Sequence, residues 1–338
     1  MESTFPQVLP DLPAEDYHES PAIGSGGLKR LAVSPLHYWA DYLDPERERK
    51  DKKAWRIGRA WHCAVFEPHA FGERYAANHD AHPSTSKAKL LKNLLDGEGS
   101  YEKLAALPEG LSPTTKEGKA LIAELQAEGR VPVPAEDMHF VDEWLPKLAG
   151  KDILSADSID SVQRMALIMR AHPISQVVFD RYAGFGRAEV SLFAPCPRTG
   201  VMRKIRPDFM LEPCEDFPNG LMIDGKSTTD ASAEGFARQV WNLDYGLQAA
   251  FYTGVYQAVY RTAGRPAFLW AACEKDSPHA CAYYAAGQDL ISYWDPKIER
   301  LLALYAECDR RDVWPGYPTS VGTLEMPAWA QKRMEAAA

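Results

Sequence analysis

From Arg187 onward the hydrophobic pattern turns strand-like, and the strand-like runs carry acidic residues where a buried strand tolerates them least. Glu189-Val190-Ser191-Leu192-Phe193 alternates with period two, Pro195–Gly200 reads as a turn, and Val201–Leu211 reads as a second strand, which predicts a hairpin. Leu221-Met222-Ile223-Asp224 predicts a short buried third strand. A long helix is expected from Ala233 to Ala263, with apolar positions at Phe236, Val240, Leu247, Phe251 and Val255. Strands at Ala267–Cys273 and Ala280–Ala285 and a helix from Leu290 to Asp309 follow. This order predicts an α/β chain of mixed α+β type, a central mixed sheet flanked by helices.

The N-terminal region adds helices. Residues 1–24 are rich in proline and acid and are expected to be extended. Ser25 reads as the N-cap of one helix, and Ser34-Pro35 as the start of another with Pro35 at its first position. Residues 54–69 are helical in pattern, with Ile57, Ala60, Trp61, Ala64 and Val65 on one side. From 80 to 150, helical segments such as Lys119–Glu128 mix with turns at Pro108, Gly110, Pro113, Pro132 and Pro134, and we read a helical insertion. Residues 25–338 then form a single domain.

The acids define a chemistry. Pro207-Asp208 is followed sixteen positions later by Asp224-Gly225-Lys226. Strand alternation puts Asp224 and Lys226 on one face. An aspartate ending a buried strand is costly unless it is paired or binds a metal. Two carboxylates suit a hard divalent cation. A lysine beside them places positive charge where it develops on an attacked phosphate. The competing reading is a salt bridge from Asp208 to Lys226 or Arg206. Hairpin pairing would bring Glu189 alongside as a third carboxylate.

Helical spacing offers more candidates. His62 lies four residues after Gly58, where it could supply an imidazole ligand while Gly58 admits a close neighbour; a packed or surface histidine is the alternative. Gln248 and Tyr252 share one face of the later helix and could orient a phosphate or the lysine, or simply pack. Tyr245, Phe251 and Tyr256 read as packing, and Cys63 as a small buried hydrophobe.

Composition limits the classes of function. A formal charge of −9 opposes nucleic-acid binding, which needs lysine and arginine on phosphates. The cations are nonetheless clustered, at Lys50, Lys52, Lys53, Arg56 and Arg59, at Lys87, Lys89 and Lys92, and at Arg203, Lys204 and Arg206 beside Asp208. Six cysteines without a C-x-x-C pair disfavour structural zinc or iron–sulfur centres and read as free thiols. No apolar run is long enough to span a membrane, and the N-terminus lacks the pattern of a secretory signal, so a cytoplasmic protein is expected.

Taken together, Gly58-x-x-x-His62, Glu189, Pro207-Asp208, Asp224-Gly225-Lys226 and Gln248-x-x-x-Tyr252 resemble, in order and context, the motifs of PD-(D/E)xK nucleases of the RecB type. Tyr17–Leu28, Ser34-Pro35-Leu36-His37-Tyr38, Ile57–His62 with Phe66-Glu67-Pro68, and Asp224–Asp230 narrow this to the exonuclease domain of the RecE type (exodeoxyribonuclease VIII) of phages and prophages. The resemblance runs from residue 17 to 333 and is weakest across 80–112. It implies a restriction-endonuclease-like core and a Mg²⁺-dependent 5′→3′ exonuclease, with Mn²⁺ as a substitute. Such an enzyme acts on double-stranded DNA ends, leaving 3′ single strands for a RecT-type annealing protein. It also implies a ring-shaped homo-oligomer, in which basic residues need only line the channel.

By that resemblance Asp208 and Asp224 hold the metal with the Gly225 carbonyl, while His62 and Glu189 complete its surroundings. Lys226 positions the attacking water, and Gln248 and Tyr252 orient the strand or Lys226. Arg203, Lys204, Arg206 and Arg59 are the candidate DNA-backbone contacts. An endonuclease or repair nuclease on the same core, and a non-catalytic DNA-binding scaffold, are the other classes that fit.

Overall fold

One continuous chain builds a central sheet and a smaller one and crosses between them at its acidic residues. The computed structural model describes residues 6–47, 53–77, 104–135, 138 and 150–337. Its strands are β1 (Gln7–Leu9), β2 (Tyr75–Ala77), β3 (Leu104–Ala106), β4 (Val131–Val133), β5 (Asp152–Leu154), β6 (Arg187–Ala188), β7 (Ser191–Pro195), β8 (Met202–Ile205), β9 (Phe209–Leu211), β10 (Leu221–Thr228), β11 (Ala267–Glu274) and β12 (Cys281–Ala285). The central sheet has the order β12-β11-β10-β9-β6 and is mixed: β10 and β11 run parallel, and the other pairs are antiparallel. A smaller antiparallel sheet has the order β1-β7-β8. The pairs β2–β5 and β3–β4 are parallel.

The expected hairpin forms, with Leu192 opposite Ile205, but each of its strands is cut in two. The first is interrupted at Glu189-Val190, between β6 and β7, and the second at Arg206-Pro207-Asp208, between β8 and β9. On one side of each break the chain belongs to the central sheet, and on the other to the smaller one. Pro207 has no N–H to offer a ladder. Glu189 has φ 54°, a left-handed conformation uncommon outside glycine. Glu189 therefore sits in a kink, not on an alternating strand as the sequence pattern predicts.

Alternation along β10 divides the core. Leu221 and Ile223 pack with Trp61, Val65, Val162 and Met165, from the helices Lys53–Phe66 and Ala156–Ala171. Met222 points the other way, toward Phe236, Leu247, Phe251, Val255 and Trp294. Those residues come from the helices Ala233–Asn242, Tyr245–Tyr260 and Gln288–Arg311. Asp224 shares the parity of Met222, and Gly225 that of Ile223.

Several expectations are corrected. The long helix after β10 is two helices, because Asp244 takes the left-handed conformation (φ 51°) and turns the chain so that both helices can pack. Gly24, not Ser25, occupies the cap position of the helix Ser25–Val33. The Ser34 side chain does cap its helix, accepting from the His37 N–H at 3.3 Å, and that helix continues into a π turn, Trp39–Leu43. The N-terminal segment is extended only in part: Ala14–Glu19 is helical and buries Tyr17. In the predicted insertion the described residues hold the helix Lys116–Ala127 as well as β3 and β4, while Lys87, Lys89 and Lys92 lie outside the described residues, as do Lys50 and Lys52. All six cysteines are free. Among the described residues no helix is long and apolar enough to cross a membrane.

Gly220 has φ 87°, and a Cβ there would run into the hydroxyl of Tyr256, which donates to the Leu211 carbonyl at 2.6 Å. Gly220→Ala is expected to destabilise the fold by about 1–3 kcal/mol, read as a lowered melting temperature.

Candidate active site

Asp208 and Asp224 are 7% and 3% exposed, so both carboxylates have left water and each must be matched. Asp208 leaves the kink after Pro207. Its Oδ2 accepts the Gly225 N–H at 2.6 Å, and its Oδ1 lies 3.1 Å from His62 Nδ1. Asp224 Oδ1 accepts from Gln248 Nε2 at 2.6 Å, and its Oδ2 is in ion-pair contact with Lys226 Nζ. Asp224 Oδ2 is buried, and the Lys226 ammonium is its match.

Each partner is brought by a different device. Lys226 shares a strand face with Asp224, as alternation requires. Gly225 faces the opposite layer, where a Cβ would lie 2.9 Å from Trp61 and 3.0 Å from Phe66. Its missing side chain lets the helix Lys53–Phe66 settle against β10 and carries His62 to Asp208. Gln248 comes one turn into the helix Tyr245–Tyr260. Tyr252 is buried on that same helix, its hydroxyl donating to the Arg206 carbonyl at 3.5 Å, at the edge of the kink.

Burial sets the electrostatics, and charge pairing then divides the groups. Burial works against an imidazolium at His62, but the charge and hydrogen bond of Asp208 outweigh it and raise the His62 pKa. Burial likewise opposes the Asp208 anion, yet His62, Lys226 and the Gly225 N–H hold its pKa below the usual range. For Asp224 burial wins, and its pKa is raised despite Lys226. Lys226 is held protonated, since Asp224 and Asp208 overcome its desolvation. Glu189 is pushed up to about 8 by desolvation and by the neighbouring Asp208 charge.

Among the described residues, no three of His, Cys, Asp and Glu converge closely enough to hold a metal ion. The aspartates are balanced instead by His62 and Lys226. Their chemistry still fits a hard cation: oxygen donors from Asp208, Asp224 and Glu189, a buried Asp224 oxygen matched by the Lys226 ammonium, and the Gly225 carbonyl nearby in sequence.

Other candidates fare differently. The competing bridge from Asp208 to Lys226 or Arg206 is not the pairing observed. Arg203 is buried and donates to the Ala194 and Pro195 carbonyls at 3.4 and 2.9 Å. Lys204 donates to the carbonyls of Tyr17, His18 and Ser20 at 2.6, 3.3 and 2.9 Å. Arg206 bonds to Ser191 Oγ at 2.9 Å and the Leu12 carbonyl at 2.7 Å. Lys204 and Arg206 thus staple the N-terminal segment to the smaller sheet, and Arg203 ties β8 to the end of β7 within it. Arg59 is half exposed and lies 3.9 Å from Asp152. Gly58 admits no close neighbour, since a Cβ there would meet nothing within 4 Å.

Sequence reasoning missed two residues. The Tyr245 ring, expected only to pack, has Lys226 Nζ 4.7 Å from its centroid and Lys29 Nζ 5.3 Å away. Lys29 is lowered to about 8 by burial and by the Lys226 charge. The one signal was its place between Leu28 and Leu31, which are buried.

A mixed sheet clad by helices on both faces, with Pro-Asp at a strand break and Asp-Gly-Lys on the adjoining strand, defines a PD-(D/E)xK-type core. The chain belongs to the family described as a PDDEXK-like domain of unknown function (DUF3799), which matches residues 135–325. That span holds the site residues from Glu189 to Tyr252 but not His62. No curated protein matches. Among solved structures, one from Eubacterium rectale described as a "Putative exonuclease" is similar at 14% identity, covering 92% of this chain and 96% of that one, with a TM-score of 0.46. Another, described as SSO0001, is 10% identical over 75% of this chain and 85% of its own, with a TM-score of 0.25.

Two outcomes are expected from this geometry. Lys204→Ala, which strips donors from backbone carbonyls of the N-terminal segment, should cost about 1–3 kcal/mol of stability, seen in denaturant melts. The stability that Glu189 contributes is complete below its ordinary pKa of 4.5 and is lost as pH rises through about 8. Glu189→Gln should therefore gain melting temperature over the parent progressively across that window, with little difference at its acidic end.

Proposed function

We propose that this chain is a Mg²⁺-dependent 5′→3′ exonuclease acting on double-stranded DNA ends and leaving 3′ single strands for a RecT-type annealing partner. The observation that carries the nuclease reading is the meeting of Asp208, Asp224 and Lys226 in one buried cluster where the two sheets part. The family match supports a nuclease. Polarity, end dependence, the annealing partner and a ring-shaped assembly rest on the sequence resemblance to RecE-type domains.

Asp208, Asp224, Glu189 and the Gly225 carbonyl would hold the divalent cation, with His62 beside them. When bound, the ion supplies Lewis acidity toward a phosphoryl oxygen and acidifies a water. As a ligand His62 must give up its proton, so metal uptake through it releases one. Lys226 stays protonated and keeps its charge beside the position where the phosphate gains charge. Gln248 fixes the Asp224 carboxylate through its amide, and Tyr252 fixes the kink that presents Asp208. None of these groups reads a base, so cleavage is expected to be independent of sequence.

Linear duplex DNA labelled at either end, beside a covalently closed circle, tests the reading in the presence of Mg²⁺ or Mn²⁺. The linear substrate should be lost from its 5′ ends while the circle survives. Lys226→Ala should slow digestion by about 10²–10³-fold, and Asp208→Ala or Asp224→Ala should abolish it. Cutting of the circle would identify an endonuclease. Metal binding without turnover would identify a scaffold.

A further inference from the structure

Outside the carboxylate cluster, two large rings stand together in solvent. Trp241 and Tyr293 are each 54% exposed, with centroids 5.2 Å apart and planes inclined by 44°. Helix packing requires neither to be aromatic. Trp241 follows Val240, which with Phe236 forms the buried side of the helix Ala233–Asn242. Tyr293 precedes the buried Trp294 on the helix Gln288–Arg311. Trp294 backs both rings, 6.3 Å from Trp241 and 5.3 Å from Tyr293, so they are held from behind and open in front.

The surface runs directly into the site. The carbonyl of Leu243, two residues beyond Trp241, accepts from Lys29 Nζ at 2.7 Å. Lys29 and Lys226 approach the same Tyr245 ring, and Lys297 Nζ lies 4.3 Å from the Trp294 centroid at the other end. Asp244 is the carboxylate that acts on Lys29 within this stretch. Two half-exposed aromatic rings with ammonium groups nearby match a nucleic-acid strand, whose bases stack and whose phosphates are anionic. The cations beside the rings, Lys29 and Lys297, favour an anionic partner, and Leu243, close to Trp241 in sequence, is 49% exposed.

We propose that Trp241 and Tyr293 form a ledge on which unpaired bases of a DNA strand stack, with Lys29 meeting a neighbouring phosphate on the way to Lys226. This rests on the nuclease reading for its substrate. The ledge selects for unstacked bases, because pairs inside a duplex are stacked on both faces.

Binding of a fluorescein-labelled oligothymidylate to the full chain, followed by anisotropy with metal chelated so that nothing is cut, tests the ledge. Trp241→Ala and Tyr293→Ala should each weaken it by about fivefold or more, with affinity for a covalently closed duplex circle, which has no ends, changed by less than about twofold. Trp241→Phe should keep most of the affinity. Trp241→Leu, which still packs on Trp294 and melts like the parent, should lose as much as alanine. Unchanged oligonucleotide affinity in folded variants overturns the proposal. Unchanged affinity with loss of an oligomer by light scattering reassigns the rings to a subunit contact. Ring-dependent binding by a protein that cuts no DNA keeps the ledge and removes the nuclease, whereas cutting with ring-independent binding does the reverse.

Discussion

Two aspartates are withdrawn from water where the central and smaller sheets part, and the need to match them orders everything around them. Moving an ionised carboxylate into a protein interior costs several kcal/mol, recovered only if opposite charge and hydrogen bonds reach both oxygens. Asp208 draws on His62 and the Gly225 N–H, and Asp224 on Lys226 and Gln248. Those partners come from a helix on one face of the sheet, the strand itself, and a helix on the other face. The layers are thus registered through the site as well as through the apolar core. A divalent cation would have to take over the matching that His62 and Lys226 supply here.

The backbone supplies what the side chains cannot. Breaking both hairpin strands frees Asp208 and Glu189 from the ladder, where a side chain would stand perpendicular to one sheet, and turns them toward the space between sheets. Pro207 enforces one break and the left-handed Glu189 marks the other. Gly225 serves a separate purpose. Its bare Cα lets Trp61 and Phe66 lie against β10, and the helix that carries them sets His62 on Asp208. The central glycine of the Asp-Gly-Lys motif is therefore a packing requirement with an electrostatic consequence.

The cations of this acidic chain are divided by depth. Arg203, Lys204 and Arg206 sit beside Asp208 in sequence, yet their charge is spent on backbone carbonyls and on Ser191. Carbonyls of the N-terminal segment and of β7 need donors, and these side chains reach them first. Lys226 and Lys29 are turned instead toward the cluster and share the Tyr245 ring. Net charge and linear spacing could not make that division, because it depends on which side chains a folded neighbour covers.

What the sequence determined by itself was local: period-two runs for the sheet, helical spacing for its cladding, the identity of the acids, and the shared face of Asp224 and Lys226. These follow from backbone geometry over a few residues, so they are readable without the fold. The split of the long helix at Asp244, the kink at Glu189, the pairing of Asp208 with His62 rather than Lys226, and the roles of Tyr245 and Lys29 were decided only in the tertiary structure. Each depends on groups far apart in the chain competing for one buried space. The winner is set by distance and desolvation, which no short window of sequence contains.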